Sequence, residues 1–273
     1  MSLVFESAGL DDLDDFMRLV RTTGWPHRAE DVSVALVLGH GLKAIHNGTL
    51  VGVAMWWTFG AEAGRVGLII VDPTSRGAGI GRAITERALA AAGHRALRLL
   101  ATEDGQPLYE KLGFVAISKY QRHQGMCTAD RITNPAIRPS SELDRAQVLA
   151  LDGRAIGADR QEVVNHLFDV GEIIVLDAGK GVSGYGVSRP FGHGKVIGPI
   201  VASDETDAVD LFHALFSPGI IRVDRPADAV RFGQALEGAG LFGQEVCDEM
   251  ELGCWPTVDP GRQVFAMASH AWG

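Results

Sequence analysis

The sequence predicts an α/β protein in which one fold is built twice. Three observations carry that reading. Apolar runs at strand spacing alternate with helical stripes over residues 3–121. Asn47-Gly48 divides two apolar runs, as a two-residue hairpin turn does. Two stretches also recur downstream at nearly one offset: 105–125 against 233–253, 128 residues apart, and 66–81 against 196–211, 130 residues apart. Colinear recurrence at one spacing is the mark of a duplicated unit.

In order, "LVFES" (3–7) reads as a strand, and 10–20 as a helix with Leu10, Leu13, Phe16, Met17 and Val20 on one face. A second helix follows at 29–39, then the hairpin at 42–57 and a strand at 65–71. Residues 80–93 form a helix that stops at Gly93. A strand at 96–101, a short helix at 105–113 and a strand at 114–121 complete the first unit. "RITNPAIRPSSE" (131–142) reads as a linker, which divides the chain into 1–130, 131–139 and 140–273. The glycine-rich 177–186 leads into no helix and reads as a hairpin; the tail 261–273 reads as an extra strand bridging the halves.

Composition narrows the function. The chain has 273 residues, 46% hydrophobic and 22% charged, enough for one large domain or two medium ones. The opening "MSLVFES" has no basic region and no apolar core, and no apolar run approaches the ~20 residues of a membrane span. Cys127, Cys247 and Cys254 are odd in number and not in CxxC spacing, so they read as reduced thiols. A cytoplasmic protein without a membrane partner is expected. The histidines form no HExxH or other close ligand pair, so no metal is expected. A net charge of −9 argues against nucleic acid.

The chemistry concentrates in "VDPTSRGAGIGRAI" (71–84), with Gly77, Gly79 and Gly81 at a strand-to-helix junction. The dinucleotide fingerprint fails because Arg82 stands where its third glycine belongs, and no Gly-Lys-[Ser/Thr] of a P-loop occurs. What remains is R-x-x-G-x-G: Arg76, Gly79 and Gly81. Free amides at a helix N-terminus bind an anion, and glycine lets it approach the backbone.

This pattern after a "V-x-P" strand end resembles motif A of the GNAT superfamily of acetyl-CoA-dependent N-acetyltransferases. "LYEKLGF" (108–114) resembles that family's motif B. The resemblance covers about residues 1–125, and the duplication extends it to tandem proteins of this family. It implies two domains, each a central mixed β-sheet flanked by helices. It implies acetyl-CoA held at its pyrophosphate by Arg76, Gly77, Ala78, Gly79, Ile80, Gly81 and Arg82, with Ile69, Ile70 and Val71 pairing its pantetheine arm and Thr102 beside it. Tyr109 matches the tyrosine that protonates the leaving thiolate, an acid with an ordinary pKa near 10.

The general base is left open. The strand 65–71 carries no carboxylate; Glu62 just before it is the candidate, with Glu103 and Asp104 at the exit of the next strand. Trp25 and Trp56 are candidate walls of an acceptor pocket. Strand alternation sends Trp56 and Trp57 to opposite faces, so at most one faces the cleft. His27 is a further candidate contact. Without gaps, Arg76, Gly79, Gly81 and Tyr109 fall opposite Thr206, Val209, Leu211 and Glu237, so the second half is expected to keep the fold and lack the cofactor site. The expected activity is acetyl transfer to a primary amine of a small molecule, directly within a ternary complex, by a monomer or homodimer. A non-catalytic acetyl-CoA sensor is the alternative.

Overall fold

The stripe at 10–20 becomes a 3-10 turn and then α1 (Leu13–Thr22), which buries Phe16, Met17, Leu19 and Val20. Our computed structural model describes residues 3–128, 131–132, 134–179 and 181–273. Asp130, Thr133 of the expected linker and Lys180 of the expected hairpin lie outside the described residues. β1 (Leu3–Ala8) precedes α1, and α2 (Ala29–Leu38) follows it. The hairpin β2 (His40–His46) to β3 (Thr49–Phe59) turns on Asn47 and Gly48, both at positive φ, 51° and 78°, as a strand-compatible two-residue turn requires. Then come β4 (Ala63–Val71), α3 (Ile80–Ala92), β5 (Ala96–Ala101), α4 (Gln106–Lys111) and β6 (Val115–Cys127).

The second half repeats the order: β7 (Ile137–Pro139), α5 (Arg145–Ile156), α6 (Gln161–Val170), β8 (Glu172–Asp177), β9 (Val182–Phe191), β10 (Gly194–Ala202), α7 (Glu205–Ala214), β11 (Gly219–Pro226), α8 (Val230–Gly238) and β12 (Phe242–Leu252), with β13 (Gln263–Ala266) added. Residues 137–139, read as linker, are thus an edge strand; Ala136 and Ile137 pack on the core of the second half.

All strands form one mixed sheet, in the order β1-β2-β3-β4-β5-β12-β6-β11-β10-β9-β8-β7, with β13 beside β10. The last strands are exchanged. β12 inserts between β5 and β6, and β6 pairs with β11 of the other half. The halves are therefore joined by continuous hydrogen bonding, and neither presents an open edge at the join. The β3–β4 ladder shifts register between Gly67 and Ile70; the β9–β10 ladder shifts between Ile197 and Ile200, 130 residues later. Even this irregularity is duplicated.

Three cores follow. α3 and Tyr109 of α4 cover one face of the first half, and α7 with Phe232 and Leu236 of α8 covers one face of the second. The third core is shared: Phe16, Leu19 and Val32 join Leu151, Val163 and Leu167 of the other half, together with Ala268, Ala271 and Trp272 of the tail.

Candidate active site

β4 runs out at Val71 into an eight-residue loop (72–79) before α3. Asp72 organises its start, accepting from the Thr74 amide at 3.0 Å and from Arg18 Nη1 at 3.0 Å. The Thr74 contacts hold its carboxyl below the usual range. Gly77 and Gly79 take φ of 80° and 78°, values that cost other residues about 1–2 kcal/mol. A Cβ at either would meet no described atom within 4 Å. The loop is thus an open backbone surface at the N-terminus of a thirteen-residue helix, where amides lack intrahelical partners and the dipole favours an anion. Arg76 and Ala78 are exposed beside it, and exposed Arg82 pairs with Glu86 at 2.8 Å.

β4 and β5 pair in parallel only from Ala63↔Ala96 to Arg65↔Arg98. Beyond that they part, and the chain bulges at Leu68, a non-glycine residue at φ 47°. The widening gap is the floor of a cleft with about 910 Å³ of empty space, its open mouth included. Gly67, Leu68 and Ile69 line one wall, and Leu99, Leu100, Thr102 and Tyr109 the other. Ile70 is buried on the opposite side of β4. The Tyr109 ring packs across Gly105, where a Cβ would come within 2.9 Å of it. Burial lifts its phenol to about 12, so it is protonated at neutral pH.

The rest of the cleft comes from elsewhere in the chain. Trp25, Pro26 and His27 overhang it from the α1–α2 loop, with His27 edge-on to both Trp25 and Phe191. Burial and nearby Arg222 push His27 down to about 4. Strand exchange delivers Arg122 of β6, Arg222 and Asp224 of β11, and Glu245 and Cys247 of β12; the tail adds Ala268–Ala271. Asp224 accepts from Arg222 Nε at 2.8 Å, and Arg122 Nη1 lies 3.0 Å from Glu245. Burial lifts the Cys247 thiol to about 12.

Of the residues expected from sequence, Ile69, Thr102, Tyr109 and Trp25 line this one cleft, while Val71 and the 76–82 loop lie at the open end of β4. Trp56 does not line it. Trp56 packs with Ile80 and Ile84 of α3 and stacks on His40, because strand alternation turns it to the other face. Trp57 points the opposite way and donates to the Ala35 carbonyl at 3.1 Å. Glu62 sits exposed on the β3–β4 turn, at the end where β4 and β5 are still paired, and does not line the cleft. Glu103 and Asp104 are exposed in the β5–α4 turn. Arg122, Arg222, Asp224, Glu245 and His270 were not anticipated, since no local motif marks them. Among the described residues no group of His, Cys, Asp and Glu is placed to hold a metal ion, and no helix is long and apolar enough to cross a membrane.

The second half has no equivalent of the loop. Only Ser203 and Asp204 separate β10 from α7. Thr206, Val209 and Leu211 therefore lie on α7, and the loop is deleted rather than substituted. Asp204 already caps that helix, accepting from the amides of Thr206 and Asp207 at 2.8 and 3.0 Å. The gap beside β10 is occupied too: β13 pairs with Ile200–Ala202, and the Met267 amide donates to the Asp224 carbonyl at 2.9 Å. The chain's own tail fills in this half the space that stays open in the first.

Comparison with known proteins agrees with this geometry. Residues 38–116 and 148–266 each match an acetyltransferase (GNAT) domain family. Over 241 residues, 85% of each chain, the protein is 27% identical to the uncharacterized N-acetyltransferase YitH of Bacillus subtilis. A putative acetyltransferase from Pyrococcus horikoshii superposes with a TM-score of 0.84 at 19% identity, covering 99% of this chain and 96% of that one. A GCN5-related N-acetyltransferase from Sphaerobacter thermophilus gives 0.67 at 13%, covering 94% and 97%. Two GNAT domains in tandem, one with an open cleft and a glycine loop and one filled by its own tail, make this chain an acyltransferase of the GNAT family.

Proposed function

We propose that the protein transfers acetyl from acetyl-CoA to a primary amine of a small molecule, directly within a ternary complex, using residues 1–130 as the cofactor-binding half and the rest of the chain, from the edge strand β7 (Ile137–Pro139) onward, as a cofactor-free half. The observation that supports this best is the parting of β4 and β5 at the Leu68 bulge, with the amide-rich 76–82 loop at its open end and a protonated phenol at its side. Acetyl-CoA would supply an activated acyl thioester. The amides and guanidinium groups of Arg76–Arg82 suit its pyrophosphate, including those of Gly77, Ala78, Gly79, Ile80 and Gly81. Ile69, Ile70 and Val71 offer free strand edge to an amide-bearing arm, in the manner of strand addition, with Thr102 opposite. An amide at the bulge polarises the carbonyl. Tyr109 holds the proton that the departing thiolate takes.

The Tyr109→Phe variant tests the acid. It keeps the packed ring and removes the proton, so kcat is expected to fall roughly 10²-fold with acetyl-CoA affinity nearly unchanged. Equal losses in rate and binding would assign Tyr109 to packing. Turnover of acetyl-CoA across a panel of primary amines tests the activity itself; binding without turnover would support a sensor instead. Calorimetric titration is expected to give one acetyl-CoA per chain, because the second half lacks the loop and its gap is filled. A stoichiometry of two would contradict that.

A further inference from the structure

We propose that His270, oriented by Asp224, is the group that takes the proton from the attacking amine. This deepens the acetyltransferase reading and rests on it.

Geometry carries the assignment. The acceptor nitrogen must meet the thioester carbonyl beside the bulge of β4, so its base must lie there too. The tail passes that point: a Cβ on Gly67 would lie 3.1 Å from the Cα and carbonyl oxygen of Ala271, the residue after His270. His270 lines the same cleft as Tyr109, and 20% of its side chain stays accessible. Its Nε2 lies 2.9 Å from Asp224 Oδ1. Asp224 is 1% exposed and accepts from Arg222 Nε through its other oxygen. The segment carrying His270 is pinned on both sides. The Met267 amide donates to the Asp224 carbonyl at 2.9 Å, Arg189 Nη2 to the Ala268 carbonyl at 2.7 Å, and the Ala271 amide to Ser269 Oγ at 3.1 Å. A buried carboxylate this close to one ring nitrogen favours the proton there and leaves the other nitrogen for the substrate.

The other groups facing the cleft suit the role less well. Asp224 is spent on Arg222 and His270, with Arg122 Nε 3.8 Å away. Glu245 is held by Arg122. The Cys247 thiol keeps its proton, and His27 is too weak a base. Sharing the cleft with His270 are Asp224 and Arg222 from β11, Arg122 from β6, Glu245 and Cys247 from β12, His27 from the α1–α2 loop and Tyr109 from α4. Burial lowers the imidazole below its ordinary value, with Asp224 pulling the other way and the two arginines adding to the fall. It is thus neutral at neutral pH and ready to accept.

The step balances. The amine lone pair forms the N–C bond as the C–S bond breaks. The amine proton passes to Nδ1 of His270, and the thiolate takes the proton of Tyr109. Water then returns the proton from His270 to the Tyr109 phenolate.

The first test is ¹⁵N NMR of histidine-labelled protein without substrate. At pH 7, His270 is expected as the neutral tautomer protonated at Nε2 and bare at Nδ1; an Nδ1–H tautomer or an imidazolium would overturn the proposal. In Asp224→Asn that tautomer preference is expected to be lost. The second test is kinetic, using acetyl transfer to the best acceptor of the amine panel and acetyl-CoA hydrolysis. His270→Gln is expected to lower both rates about 10²-fold and to abolish the acidic limb of the pH profile. Wild-type rates and an unchanged limb in a folded His270→Gln protein would overturn the proposal. Calorimetry separates the two readings. No acetyl-CoA binding by the wild type overturns the acetyltransferase reading itself, whereas equal binding and equal kcat in both proteins overturns only the role of His270.

Discussion

A chain cut after Pro139 is expected not to fold. The cut removes both neighbours of β6, because β11 and β12 come from the second half. It also removes the strand that covers β5. The shared core also loses Leu151, Val163 and Leu167, together with Ala268, Ala271 and Trp272 of the tail. Fully burying one such side chain contributes about 1.5–3 kcal/mol, and whole domains are stable by only about 5–15 kcal/mol. Losing several at once exceeds the margin. Circular dichroism melts of residues 1–139 should show no cooperative transition, with aggregation through the exposed strand edges. A monomeric fragment with a sigmoidal melt that bound acetyl-CoA would show that the exchanged strands are dispensable.

Gly79→Val is expected to weaken acetyl-CoA binding at least 10²-fold, for two separable reasons. At φ 78° a β-branched residue is strained, by about 1–2 kcal/mol. Its side chain would also project into open space over the loop amides that the proposal gives to the pyrophosphate, since no described atom stands within 4 Å of that Cβ. Gly81→Ala separates these effects. Gly81 lies inside α3 at ordinary helical geometry, and its added Cβ would touch Val71 at 3.5 Å, a normal contact. Alanine there should raise helix stability slightly while still crowding the ligand. Calorimetry and melts on both variants check this. Unchanged affinity in folded Gly79→Val would remove the anion site from that loop.

Much of the fold was legible because it rests on local rules. Asn47-Gly48 permits one kind of turn, and Gly93 stops α3 with φ 75°. The strand and helix periods around the glycine loop leave few other arrangements. The loop could be read for the same reason, since its chemistry is that of backbone amides and positive φ. Reading failed where the outcome depends on distant partners. Trp56 and Glu62 are plausible by type and by nearness in sequence. Yet Trp56 faces α3, and Glu62 sits outside the cleft, on the exposed turn at the end where β4 and β5 are still paired.

The sequence by itself determined the duplicated α/β units, the glycine loop at 76–82 and the absence of that loop's pattern from the second half. These are written in spacing and in residues whose backbone freedom is intrinsic. Tertiary structure alone decided that β6 and β12 change places, that β13 closes the gap beside β10, and that Arg122, Asp224, Glu245 and His270 meet Tyr109 around one cleft. Strand exchange costs no change of local pattern: a strand with the same alternation pairs equally well with either half. Which partner it takes is settled by burial across the assembled chain, where residues of α1 and α2, of α5 and α6 and of the tail belong to one connected core, and such burial is not a property of any one segment.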